Sequence, residues 1–106
     1  MPKYLWQVHY LTEGTKGLVK DGGSKRRAAA KQAIESVGGK LESFYFAFGD
    51  CDAYLIVDGP DNISAAAGSL AVNASGAVTV KTTVLLTPEE MDAATKKTVS
   101  YRPPGT

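Results

Sequence analysis

Residues 3–11, Lys-Tyr-Leu-Trp-Gln-Val-His-Tyr-Leu, alternate so that Tyr4, Trp6, Val8 and Tyr10 share one side of an extended chain and Lys3, Leu5, Gln7, His9 and Leu11 the other. That is a β-strand with one continuous apolar and aromatic face. Such a face has to be covered, and the next segment of the chain supplies the cover. Thr12-Glu13-Gly14 interrupts the alternation, and residues 15–37 read as helix with a weak point at Gly22-Gly23. Ser24 is a suitable N-cap for the second part, in which Ala28, Ala29, Ala33, Ile34 and Val37 form an apolar stripe that ends at Gly38-Gly39.

Two further β-rich runs, 40–48 and 52–58, are joined through Gly49-Asp50-Cys51, a link short enough to demand an antiparallel hairpin. Gly59-Pro60-Asp61 then opens a second helix over 61–74. Its surface is mostly alanine, with Ile63, Leu70 and Val72 as the larger residues, and small side chains permit close approach to a sheet. Residues 77–86, rich in Val and Thr, supply a fourth strand. Thr87-Pro88-Glu89-Glu90 combines an N-cap threonine, a proline at the first helical position and a glutamate at the third, so a terminal helix to about Lys97 is expected.

The order is β-α-β-β-α-β plus one helix, an α+β fold of the ferredoxin-like kind. Right-handed crossovers place the strands in antiparallel order 4-1-3-2, with both main helices on one face of the sheet. The other face is left bare and calls for a partner, most simply a second copy of the chain. A homo-oligomer through the exposed sheet face is therefore expected. At 106 residues one domain is accounted for, over 1–98, and then a proline-containing tail over 99–106.

Composition narrows the class further. The chain is 43% hydrophobic and 22% charged, which indicates neither disorder nor a membrane span, and its apolar runs fall far short of the roughly 20 residues a span requires. No secretory leader is visible ahead of the first strand, so a cytoplasmic location is expected. A formal charge of +1 gives no reason to expect nucleic acid. The single Cys51 can form no intrachain disulfide and completes no metal motif, so no metal or other cofactor is implied.

Several stretches together resemble the GYD domain family. They are the opening strand with Thr12-Glu13-Gly14, Ser24-Lys25-Arg26-Arg27, the run Gly38 to Phe46, Gly49-Asp50-Cys51-Asp52, Pro60-Asp61 and Leu86 to Glu90. The resemblance implies a dimeric α/β-barrel type of fold in a group of small, mostly bacterial proteins without an established activity. One departure stands out: Cys51 occupies the position of the family's tyrosine.

With the strands in the expected order, the end of the first strand, the hairpin and the start of the fourth strand meet at one edge of the sheet. His9 and Asp52 are the candidate catalytic pair there, because a carboxylate beside an imidazole makes a general acid or base. The competing reading has His9 at a subunit contact and Asp52 capping the turn. Trp6, Thr12, Tyr45, Gly49, Asp50 and Tyr54 are candidate ligand-binding residues around the same edge, although aromatic side chains serve cores and interfaces equally well. Ser24, Arg26 and Arg27, at a glycine-flanked helix start, are candidates for holding an anion or simply form a solvated basic face. Two functions stay open at this point: an oligomeric module binding or sensing a small molecule, and a cofactor-free enzyme acting on a small aromatic or carbonyl compound.

Overall fold

In a computed structural model covering residues 1–106, the chain forms one four-stranded antiparallel sheet carrying helices on one side and a terminal arm. Strand β1 (Lys3–Tyr10) leads into α1 (Thr12–Asp21) and α2 (Gly23–Ser36). The hairpin of β2 (Lys40–Phe46) and β3 (Ala53–Asp58) comes next, then α3 (Asn62–Ala74), β4 (Val78–Leu85) and α4 (Pro88–Thr95). The sheet order β2-β3-β1-β4 is the 4-1-3-2 order expected from the chain. Each strand spans the expected run or stops within two residues of it.

The alternation in β1 sorts the two faces. Tyr4, Trp6 and Val8 are buried, and Tyr4 lies opposite Val57 and Val84, Trp6 opposite Leu55 and Thr82, Val8 opposite Ala53 and Val80. Ile34 of α2 and Ala65 of α3 close over this row to complete the core. Tyr4 and Trp6 each remove roughly 150–200 Å² from water, about 4–5 kcal/mol of transfer free energy apiece, so β1 supplies the largest side chains of the core. The Tyr4 hydroxyl donates to Asn62 Oδ1 at 2.6 Å and is thereby satisfied inside the core.

Helix boundaries obey the backbone chemistry closely. The long helix divides where Gly22 takes φ +82°, ψ 169°, a conformation open to glycine alone, and its N–H closes α1 on Leu18 O at 2.8 Å. Gly22, not Ser24, is therefore the N-cap of α2, and Ser24 lies inside the first turn. Asp61 caps α3 by accepting from Ser64 N at 2.7 Å, and that bond holds its carboxyl below the usual range. Thr87 and Glu90 form the expected reciprocal capping box, at 3.1 and 2.9 Å.

Two helical faces differ from the expectation. On α2 the inward residues are Arg26, Ala30 and Ile34, spaced by four, while Ala28 faces outward. On α3 Ile63 and Leu70 are exposed, and Ser64, Ala65, Gly68, Ser69 and Val72 turn inward. The reason is Trp6. A Cβ on Gly68 would stand 3.2 Å from the indole, so only the small-residue side of α3 can approach the strand that carries it.

Helix α4 has no buried residue and no extensive packing partner, and the chain measures 57 × 32 × 22 Å. Its radius of gyration is 16.8 Å, against about 13 Å for a compact chain of this length. The segment from Leu86 onward behaves as an arm. No helix is long and apolar enough to cross a membrane.

Candidate functional site

The two sheet faces divide the candidate residues. On the bare face His9 is exposed opposite Thr79, and Tyr45 pairs with Tyr54, which pairs in turn with Gln7. The Tyr54 phenol is held above its ordinary range, chiefly by the neighbouring Cys51 sulfur and further by Asp50. Thr12, Gly49 and Asp50 are exposed at the end of the sheet, as the strand order requires. Cys51 is buried, its thiol directed to Ala53 O at 3.4 Å.

Asp52 ties that end of the sheet together. Its N–H donates to Val8 O and its carbonyl accepts from Ala47 N, both at 2.8 Å. Its carboxylate accepts from the backbone N–H of Tyr10 at 2.7 Å. The side chain thus serves the backbone of β1, and His9 forms no hydrogen bond with it. The arrangement brings Asp52 to Tyr10 and leaves the His9 imidazole open to solvent.

Trp6 lies on the opposite face, where the sheet meets α2 and α3. There a cavity of about 120 Å³ opens between the strands and the helices, and ten of its eleven lining residues are hydrophobic. Val8 and Leu55 form its floor and Phe44 one wall, with Ala30 of α2 above them. The exception in the lining is Arg26. Trp6 Nε1 and Arg26 Nε are both shut off from solvent, and neither has an acceptor within the protein. Every other buried side-chain nitrogen or oxygen of the domain is paired, the Tyr4 hydroxyl among them.

The candidate anion residues part company on α2. Arg26 turns inward to the cavity, whereas Ser24 and Arg27 border an outer groove with Lys31, Glu42 and Tyr45. Proximity in the chain groups the three, and the fold separates them. The burial of Ile34 was the usable signal, because counting back by fours from it reaches Ala30 and Arg26. No group of three or more histidine, cysteine or acidic side chains is placed to hold a metal ion.

The sequence model of the GYD domain matches residues 4–95, which takes in every strand and helix described above but for Lys3 at the start of β1. The chain belongs to the GYD domain family. No curated protein and no solved structure matches it. Within this GYD domain the resembling segments fall largely on structural positions. Gly14 lies against the Ala77 backbone, Asp52 clamps β1, Asp61 caps α3 and Thr87 caps α4.

Proposed function

We propose that this GYD domain binds a small molecule in the cavity between its sheet and helices α2 and α3, and that it does so as a homo-oligomer in the cytoplasm. The observation that carries the binding reading is the cavity itself, whose lining is hydrophobic except for Arg26, an arginine that no carboxylate of the chain pairs. An apolar occupant gains affinity from the area it buries, and one that carries an acceptor toward the Arg26 guanidinium gains a charge-assisted hydrogen bond. An apolar cavity of about 150 Å³ accepts benzene; at about 120 Å³ this one suits a single ring or a short branched chain. Binding is favoured over cofactor-free catalysis because His9 stands on the other sheet face and Asp52 already has Tyr10 N–H as its partner.

Trp6 is the sole tryptophan and reports on the cavity directly. Titration with one-ring compounds, neutral and acidic, is expected to change its fluorescence saturably. Filling the cavity with Ala30→Leu is expected to abolish the change while the far-UV spectrum stays the same. No saturable response to any compound would overturn the reading.

Oligomerisation rests on surface area. A compact chain of 11.2 kDa exposes about 5,700 Å², whereas this one exposes 7447 Å². The difference, about 1,750 Å², is roughly twice what one partner buries in a standard interface. Two features offer that surface: the bare face, with Leu5, Ile56 and Tyr54 at its centre, and the arm, with Met91, Val99 and Tyr101 exposed. Light scattering is expected to give at least twice the single-chain mass, and Ile56→Lys to lower it. A single-chain mass at micromolar concentration would refute the proposal.

A further inference from the structure

The geometry points to a one-ring or short-chain monocarboxylate as the cavity's ligand. This inference rests on the binding reading above and adds to it the chemical class. Arg26 is the one charged residue of the lining, and a guanidinium only donates and keeps its charge at every ordinary pH. The occupant must therefore present an acceptor oxygen. Arg26 makes no ion pair with any carboxylate of the chain, so its charge at the cavity wall is uncompensated. A negatively charged acceptor matches it better than a neutral carbonyl or hydroxyl, and charge-assisted hydrogen bonds are about twice as strong as neutral ones.

The remainder of the lining limits that anion to one charge and an apolar body. Besides Arg26 no lining residue is charged, so a phosphate dianion would carry a second charge into a wall of Val8, Leu55, Phe44 and alanines. The carboxylate has to lie toward Arg26, with the ring or alkyl group against Phe44 and Leu55. Nearby Lys25, Arg27 and Lys31 lie on exposed positions of the same helix. They do not line the cavity.

Benzoate, benzyl alcohol, toluene and inorganic phosphate separate the alternatives when each is titrated into the full chain by Trp6 fluorescence and calorimetry. Benzoate is expected to bind at least about tenfold more tightly than either neutral compound, and phosphate not to compete with it. Arg26→Met is expected to remove that preference while toluene affinity holds, and Lys25→Met to leave both unchanged. Arg26→Lys, which keeps the charge, provides a second route, retaining part of the preference for benzoate over toluene. If toluene binds as tightly as benzoate and Arg26→Met changes neither, the carboxylate class is overturned while the cavity reading survives. If none of the ring compounds binds, both fall together.

Discussion

Gly14→Ala is expected to lower the stability of the domain by about 3 kcal/mol or more, whereas Gly17→Ala, one turn further along the same helix, is expected to raise it by roughly 0.5–1 kcal/mol. A Cβ on Gly14 would stand 2.1 Å from Ala77 O and 2.9 Å from Ala77 C. Both are backbone atoms, so no side-chain rotation relieves the clash. Nor is Ala77 free to retreat, because its carbonyl accepts the Leu11 N–H at 2.9 Å and fixes the start of β4 against the end of β1. Helix α1 would have to lift, and the Leu11 bond would go with it. At Gly17 nothing lies within 4 Å of an added Cβ, so alanine there brings only its better helix propensity. Thermal melts of the two variants are expected to move in opposite directions, Gly14→Ala downward by roughly 10–20 °C. Equal melting of Gly14→Ala and the parent would show that α1 does not need this contact.

The contrast between these two glycines, alike in sequence and unlike in surroundings, extends to the rest of the chain. Strands were legible because their period of two is enforced by the pleat, and β1 announces it with Tyr4, Trp6 and Val8. The helix break at Gly22 and the capping box at Thr87 were legible because each rests on local chemistry. The inner face of an alanine-rich helix is different. On α2, Ala28, Ala29, Ala30 and Ala33 allow several stripes, and only the burial of Ile34 selects the one through Ala30 and Arg26. An arginine on that stripe reads as a surface charge until the fold shows what lies beneath it. On α3 the large residues mislead, since Ile63 and Leu70 give way to Gly68 under the pressure of the Trp6 ring. The cavity with Arg26 at its wall depends on both of these tertiary choices. Asp52 was legible as a residue of consequence at the right end of the sheet, but the partner of its carboxylate was set by hairpin geometry.

That partner makes Asp52→Ala the second large effect expected of a single substitution. The carboxylate accepts the Tyr10 N–H at 2.7 Å where β1 runs past its last pairing with β3, at Val8 and Ala53. A hydrogen bond to a charged acceptor contributes about 1.5–3 kcal/mol, and its removal also leaves a half-buried N–H without a partner. Asp52→Ala is therefore expected to cost roughly 2–4 kcal/mol. It is expected to speed amide exchange at Tyr10 by about tenfold or more, since each 1.4 kcal/mol of local opening free energy is a factor of ten. Asp52→Asn retains an acceptor oxygen in the same place and is expected to recover about half of the loss. The backbone bonds of residue 52, to Val8 O and from Ala47 N, survive all three side chains, so the effect isolates the carboxylate. Partial rescue by asparagine distinguishes the clamp from a catalytic role, because an amide accepts the Tyr10 bond but cannot exchange a proton as a general base would. If Asp52→Ala is as stable as the parent and the Tyr10 amide keeps its protection, the clamp is refuted, and the reason for an acid at this turn has to be sought on the side of the sheet that carries His9.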